Sequence, residues 1–149
     1  MEKTLVLIKP DALQRGLVGA VLSRLEGRGL KLVAIKLVQM DGDLAQKHYA
    51  VHERKPFFPG LVEFIISSPV VACVFEGARA VEVVRRTMGE TDPARSVPGT
   101  IRGDWGLDMG RNLVHGSDSS ENAGVEIPLF FTPQEIVDYT KDVDKWVYE

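Results

Sequence analysis

The sequence predicts an α/β sandwich in which helices cover one four-stranded antiparallel sheet. The first observation is the order of the elements, because short apolar strands alternate with helical patterns as β-α-β-α-β-α-β. The second is that the strands are apolar along most of their length, which is typical of strands buried on both faces. The third is the chain length of 149 residues, which fits one domain with a substantial core. We therefore expect residues 1–149 to form a single domain.

The first part of the chain contains two predicted strands with a helix between them. A short, continuously apolar strand runs from Leu5 to Ile8 and is stopped by Pro10. The helix that follows has apolar residues at helical spacing and ends at two glycines; these residues are Val18, Val21, Leu22 and Leu25, then Gly27 and Gly29. The next strand, 30–40, is predicted to have two apolar faces, with Val33, Ile35 and Leu37 on one and Leu32, Ala34, Val38 and Met40 on the other. Such a strand is either covered on both sides or lies at a contact between subunits.

The later elements are predicted by the same patterns. In chain order they are a short helix at 43–49, a helix from Pro59 to Ile66 closed by Pro69, a buried strand at 70–75, a helix at 78–88 and a strand at 113–115. Thr132-Pro133-Gln134-Glu135 has the N-cap, the proline and the glutamate of a strong helix start.

The segment from Gly89 to Gly110 does not follow this alternation. It is rich in glycine and proline and has no clear periodicity, yet it contains Ile101, Trp105 and Leu107. These residues are too apolar for a solvated linker. We therefore predict an ordered, functional loop that packs on another part of the protein or on a neighbouring subunit.

Composition limits the class of protein. The net charge of −3 argues against a protein built mainly to hold nucleic acid, although it allows a local basic pocket. Cys73 is the only cysteine and lies in an apolar run, so we expect a buried, inert thiol and a reducing compartment. The apolar run after Met1 is too short for a signal peptide, and no segment is long enough to cross a bilayer. The expectation is a soluble cytoplasmic protein.

The segment Asn112-Leu113-Val114-His115-Gly116-Ser117-Asp118-Ser119 carries the clearest chemical signal. Gly116 allows a tight turn beside the imidazole, and Asp118 or Ser119 can cap a following helix. His115 would then lie beside a helix N-terminus, which favours anions. A neutral imidazole is nucleophilic near pH 7. An isolated histidine is more often a core or capping residue, but this context favours a nucleophile.

Five motifs together carry a resemblance to a known family. They are 4–11 (TLVLIKPD), 54–62 (RKPFFPGLV), 89–94 (GETDPA), 98–104 (PGTIRGD) and 112–119 (NLVHGSDS). Their order and spacing from Thr4 to Glu149 resemble those of nucleoside diphosphate kinases. The resemblance implies a ferredoxin-like sheet and transfer of the terminal phosphate of a nucleoside triphosphate, usually ATP, to a nucleoside diphosphate. It also implies a ping-pong route through a pros-phosphohistidine at His115.

The resemblance implies roles for further residues. Ser117 and Glu126 would support the histidine. Arg85, Thr91 and Arg102 would bind the β- and terminal phosphates, for which a guanidinium group is well suited. Phe57 would stack on the base opposite Met109, with Leu61 nearby. Lys9 and Asn112 would reach the ribose, with Lys9 also near phosphate, and Tyr49 would form a hydrogen bond close to His115 and Lys9.

The sequence also bears on metals and partners. It has no P-loop, and Mg²⁺ is expected to bind through nucleotide phosphates and water, with no direct protein side-chain ligand. His48 and His52 have the spacing of a helical metal pair, but further ligands are missing, so this reading is disfavoured. The partners expected are ATP and other nucleotides, with no membrane and no requirement for nucleic acid. The ending 145–149 resembles the longer C-termini of hexameric members, so a homohexamer is favoured over a tetramer.

One alternative from another functional class is a regulatory module that binds nucleotides or nucleic acid on a similar sheet. Such a module would not need His115 or phosphate-binding residues that converge on it. It would usually have exposed aromatic residues on its strands and a basic face. Neither feature is evident in the sequence, and covalent labelling by ATP would distinguish the two classes.

Overall fold

The computed structural model describes residues 1–149 and contains one antiparallel sheet of four strands. The strands are β1 (Glu2–Ile8), β2 (Lys31–Val38), β3 (Val70–Gly77) and β4 (Val114–Gly116). The helices are α1 (Pro10–Gln14), α2 (Val18–Gly27), α3 (Gly42–His48), α4 (Phe58–Ile66), α5 (Ala80–Met88), α6 (Ile101–Trp105) and α7 (Ser120–Phe130). The strand order is β2-β3-β1-β4, which confirms the predicted ferredoxin-like sheet covered by helices.

Two hydrophobic clusters cover the two faces of the sheet. Leu5 and Leu7 of β1 face one cluster, which includes residues of α3, α4 and α7. Val6 and Ile8 face the other, which includes residues of α2, α5 and α6. All four side chains are fully buried, and burial of one such side chain stabilises the fold by about 1.5–3 kcal/mol. Burial on both faces explains why β1 is apolar at consecutive positions. Cys73 lies in the second cluster, and burial raises the pKa of its thiol to about 12, as expected for an inert thiol.

The predicted face assignment of β2 is wrong at one point. Leu32 pairs with Phe75 and Ala34 pairs with Val74, so Val33 is an extra residue in the strand. This β-bulge turns Val33 and Ala34 toward the same cluster. Ile35 and Leu37 then lie on the opposite side, where 47% and 67% of their surfaces are exposed. The strand is therefore an edge strand with an apolar outer portion.

Two other local predictions are corrected by the structure. A short helix, α1, begins at Pro10, directly after β1, where only a turn was expected. Thr132 and Glu135 form the predicted capping box, but only a single 3₁₀ turn, Pro133–Glu135, follows. The chain instead crosses to the edge of the sheet, where the Val137 amide donates to the Val33 carbonyl at 2.9 Å. This tertiary hydrogen bond replaces the continuation of the helix.

The glycine-rich segment 89–110 is ordered, as predicted, and it contains α6. Ile101 is fully buried in the core, which anchors α6 against the rest of the domain. Arg24 of α2 holds the outer part of the segment through the Gly99 carbonyl and the Asp104 carboxylate. No helix in the chain is both long and apolar enough to cross a membrane.

Candidate active site

His115 lies in the middle of β4 and pairs with Leu7 of β1. About a quarter of its side chain is exposed, and its Nε2 atom lies 3.0 Å from Oε1 of Glu126 on α7. The hydroxyl of Ser117 donates to the other Glu126 oxygen at 2.5 Å and accepts from the Leu5 amide at 3.3 Å. His115, Glu126 and Ser117 are thus joined by a continuous set of hydrogen bonds. Ser119 is the N-cap of α7, through a bond from the Asn122 amide.

The state of the Glu126 carboxyl decides which nitrogen of His115 carries the proton. Burial by itself would raise the pKa of Glu126, but hydrogen bonds from His115 and Ser117 and the charge of the imidazole together lower it. The ionised carboxylate accepts hydrogen bonds only, so the proton of the neutral imidazole is assigned to Nε2. The Nδ1 atom makes no hydrogen bond within the chain and keeps its lone pair.

Two aromatic residues pack beside the nucleophile candidate. The ring of His48 lies 4.6 Å from that of His115 at an interplanar angle of 82°. Burial and the neighbouring charge of His115 lower the pKa of His48 to about 3, so it is neutral at physiological pH. Tyr49 lies 4.7 Å from the His48 ring. Its hydroxyl makes no hydrogen bond to His115 or Lys9, and burial raises the pKa of Tyr49 to about 12.

Positive charge is concentrated next to the end of β1. Nζ of Lys9 donates to Oδ1 of Asn112 at 2.8 Å, and the amide of Asn112 donates to the Thr91 carbonyl at 3.0 Å. Burial lowers the pKa of Lys9 to about 8, partly offset by Asp11 and assisted by the charges of two arginines, Arg102 and Arg111. Lys9, Asn112 and the loop are therefore one connected unit that is rich in hydrogen-bond donors.

Two arginines are bound to backbone carbonyls around β4. Arg102 is buried, and its guanidinium donates to the carbonyls of Asn112, Gly89 and Val114 at 2.7–3.1 Å. Burial, together with the charge of Arg85, lowers the pKa of Arg102 to about 10. Arg85 donates to the Gly116 carbonyl at 3.2 Å. Since a guanidinium has five N–H donors, Arg102 retains two after bracing the loop against β4.

The predicted base-binding residues lie outside this buried group. Phe57, at the start of α4, and Met109 are both more than half exposed, and Leu61 is half-buried against the core. Phe58 also packs against the core, so only one of the two adjacent phenylalanines is free for a ligand. Thr91 contributes a carbonyl to Asn112, and its side chain is exposed.

Comparisons with known proteins assign the family. The family model described as nucleoside diphosphate kinase matches residues 2–136. The chain belongs to the nucleoside diphosphate kinase family. A relative named nucleoside diphosphate kinase from Thermomicrobium roseum is 56% identical over 147 residues and covers 99% of each chain. One of the same name from Archaeoglobus fulgidus is 55% identical over 149 residues, covering 100% of this chain and 99% of its own.

Solved structures of nucleoside diphosphate kinases support the same assignment. The enzyme from Halobacterium salinarum, in complex with CDP, matches with a TM-score of 0.97 and 53% identity, covering 99% of both chains. A family member from Babesia bovis matches with a TM-score of 0.96 and 43% identity, covering 99% of this chain and all of its own. The chain is therefore a phosphotransferase that acts on nucleotides.

Sequence reasoning for this nucleoside diphosphate kinase missed three residues of the site. Asp11 accepts a hydrogen bond from the Leu113 amide at 2.9 Å and so holds the backbone of Leu113, whose φ is 73°. His48 packs on His115, and Arg111 lies beside Lys9, with its guanidinium 4.1 Å from the Phe64 ring. Asp11 is the last residue of the first recognised motif and Arg111 directly precedes the last motif, which was an available signal. Nothing in the sequence indicates the contact of His48.

Proposed function

We propose that this chain transfers the terminal phosphate of a nucleoside triphosphate, usually ATP, to a nucleoside diphosphate by a ping-pong mechanism through a phosphohistidine. The observation that carries the proposal is the fixed orientation of His115. Glu126, held in place by the Ser117 hydroxyl, binds the Nε2 side of the imidazole, which leaves Nδ1 as the nucleophile beside a cluster of cationic side chains.

In the first half-reaction the Nδ1 lone pair attacks the terminal phosphorus. A P–N bond forms, the bond from phosphorus to the bridging oxygen breaks, and the nucleoside diphosphate leaves. In the second, a terminal oxygen of an acceptor diphosphate attacks the same phosphorus and the P–N bond breaks. The positive charge that develops on the imidazole is balanced by the Glu126 carboxylate, which is positioned before the reaction begins.

The other site residues would bind and orient the nucleotide. Arg85, Thr91 and Arg102 are proposed to bind the β- and terminal phosphates, using the donors that the backbone leaves free. Lys9 and Asn112, already joined by a hydrogen bond, are proposed to reach the ribose hydroxyls, with Lys9 also near phosphate. The remaining proposed contacts are Phe57 stacked on the base, Met109 and Leu61 next to it, and Tyr49 near the reacting centre.

Magnesium fits this site as part of the nucleotide. The side chains that surround the proposed phosphate position are mainly cationic, and the carboxylates of Asp11 and Glu126 are engaged by Leu113, His115 and Ser117. This donor set does not form an oxygen cage for Mg²⁺. Mg²⁺ would be held by the nucleotide, with no direct side-chain ligand from the chain, and would neutralise negative charge on the phosphates.

Covalent labelling tests the mechanism. Incubation with ATP labelled on the terminal phosphate, without an acceptor, is expected to label the wild-type chain at one histidine and to leave His115→Ala unlabelled. His52→Ala is the matched control, since that ring does not contact His115, and it should label normally. Normal labelling of His115→Ala would refute the assignment of the nucleophile. Nucleotide binding without any label on the wild type would reduce the function to that of a binding module.

We also propose a homohexamer, most simply a trimer of dimers, formed by a single-domain chain in the cytoplasm. Strand β2 is an edge strand with exposed Ile35 and Leu37, which a second copy would cover. Val97, Leu107 and Trp146 are also exposed and could contact further subunits. Light scattering should give six chains. A variant without residues 143–149 should assemble more weakly, and a stable monomer or tetramer of the intact chain would refute the hexamer.

A further inference from the structure

His48 has an unusual environment for a polar side chain. It is the last residue of α3 and is 92% buried, since its relative exposure is only 8%. Both of its ring nitrogens are inaccessible to solvent, and neither has a hydrogen-bond partner. A buried polar atom without a partner costs free energy, and such an atom in a native fold calls for a ligand. The proposed transfer reaction assigns no role to either nitrogen.

The unpaired imidazole lies beside two groups that can share a ligand with it. Three possible ligand atoms, one each from His48, His115 and Glu126, all lie within 4.8 Å of one another. The Nε2 atom of His115 and the Glu126 oxygen are already 3.0 Å apart. The second Glu126 oxygen is oriented by the Ser117 hydroxyl, a type of support that metal-ligating carboxylates commonly have.

We propose that these three residues form an inhibitory site for a divalent metal ion of the zinc class, which competes with phosphorylation of His115. Two imidazoles and one carboxylate are an established zinc ligand set, with a fourth position open to water. Ligand atoms in a tetrahedral zinc site are about 3.4 Å apart, given bonds of about 2.0–2.2 Å. The His48 ring, at the end of α3, therefore has to move toward His115 and Glu126 by about 1.4 Å at most. The metal then satisfies one of the two unpaired nitrogens of His48.

Metal binding and phosphorylation compete through the single proton of the neutral His115 imidazole. With Nε2–H bound to Glu126, Nδ1 has the lone pair that attacks phosphorus. When a metal takes the Nε2 lone pair, the proton moves to Nδ1, and the nucleophile is lost. Conversely, a phosphoryl group on Nδ1 withdraws electron density from the ring and leaves the remaining proton on Nε2, bonded to Glu126, so a metal has to displace that proton from a weaker ligand. This competition rests on the proposed phosphohistidine, whereas metal binding by the three residues does not.

The site is distinct from the Mg²⁺ of the nucleotide. Mg²⁺ prefers oxygen ligands and near-octahedral geometry, so a site with two nitrogens should discriminate against it. The site also differs from the His48–His52 pair that the sequence suggested. The His52 ring instead lies 5.5 Å from Phe57 and is not part of the cluster.

The first test measures metal binding by the nucleotide-free protein, in competition with a chromophoric chelator. We expect one Zn²⁺ per chain with a dissociation constant of about 10 µM or lower, and no displacement by millimolar Mg²⁺. Substitution with Co²⁺ should give the visible spectrum of a four-coordinate nitrogen and oxygen site. Absence of a tight Zn²⁺ site, or a Co²⁺ spectrum of octahedral type, would overturn the proposal without bearing on the transfer reaction.

Two matched variants locate the site. His48→Phe removes the ligand but keeps an aromatic ring in a pocket next to Phe130, and it removes two unpaired buried nitrogens, so it should fold. It should weaken Zn²⁺ binding at least tenfold, whereas His52→Phe should change it by less than about twofold. His48→Gln, checked by its thermal unfolding, is the second variant. Wild-type affinity in both His48 variants would overturn the assignment.

A final comparison tests the competition. Protein phosphorylated by ATP and freed of nucleotide should bind Zn²⁺ at least tenfold more weakly than the unphosphorylated protein, and prior Zn²⁺ should slow its labelling. Equal binding by both forms would overturn the competition. If no phosphoprotein forms at all, the proposed function fails, while the direct binding measurements still decide the metal site.

Discussion

Replacement of Glu126 by glutamine gives the sharpest test of how His115 is activated. The carboxylate is bound at both oxygens, by His115 Nε2 at 3.0 Å and by the Ser117 hydroxyl at 2.5 Å. Glutamine keeps the size of the side chain but has only one acceptor oxygen. If that oxygen faces His115, the amide nitrogen faces Ser117, and the Ser117 hydroxyl loses its acceptor. In the opposite orientation, the imidazole proton moves to Nδ1 and the nucleophile is blocked.

The expected effect follows from the charge of the hydrogen bond. A hydrogen bond to an ionised group contributes about 1.5–3 kcal/mol, compared with about 0.5–1.5 kcal/mol for a neutral pair. The substitution should therefore raise the barrier to phosphorylation by about 1–2 kcal/mol, which slows the step about 5- to 30-fold. The bound histidine becomes more positive as the P–N bond forms, so the effect should appear in the rate more than in nucleotide affinity.

Rapid-quench measurement of phosphoenzyme formation at saturating ATP is the direct assay. Glu121→Gln is the matched control, since it removes the same charge from an exposed position in the first turn of the same helix. Thermal unfolding of both variants would establish that the fold is retained. A Glu126→Gln rate within about twofold of wild type, or equal slowing by Glu121→Gln, would refute the reasoning.

Three further predictions concern other parts of the site. Because the pKa of Lys9 is lowered to about 8 from 10.5, its charge is lost as the pH rises through about 8, and kcat/KM should fall there. A flat pH profile of kcat/KM up to about pH 10 would contradict a role for the Lys9 charge in nucleotide binding. The unfolded chain retains that proton up to higher pH, so the free energy of unfolding should increase as the pH rises from about 8 to 10.5, which denaturant titrations can measure. Asp11→Ala removes the acceptor of the buried amide of Leu113, a residue whose φ is 73°. The substitution should lower the free energy of unfolding by about 1–3 kcal/mol and should lower activity. An unchanged unfolding midpoint would refute the bracing role of Asp11. Stacking on Phe57 should discriminate weakly among bases, whereas loss of the sugar 3′-hydroxyl should lower kcat/KM. The values of kcat/KM for purine, pyrimidine and 3′-deoxy nucleotides would test both expectations. A several-thousandfold preference for one base would count against the stacking role.

Much of the fold could be predicted because it depends on local patterns. The apolar strands, the amphipathic helices and their alternation specify a covered four-stranded sheet, and the structure confirms it. The bulge at Val33 could not be predicted, because the strand is apolar at nearly every position and its pattern does not mark an extra residue. That residue nevertheless reverses the faces of the rest of the strand. The turn after Thr132 was also unpredictable, because a hydrogen bond to a distant strand overrides a good capping box.

The candidate site divides in the same way. The sequence by itself determined that His115 is followed by a serine and a helix that carries Glu126, and it indicated which cationic residues the motifs contain. Only the tertiary structure decided that Arg102 braces three backbone carbonyls and that His48 packs on His115. The physical reason is that burial and the pairing of polar atoms depend on elements far apart in the chain. Local spacing can identify a nucleophile and the turn that presents it, but which groups surround the nucleophile depends on how the sheet and helices pack.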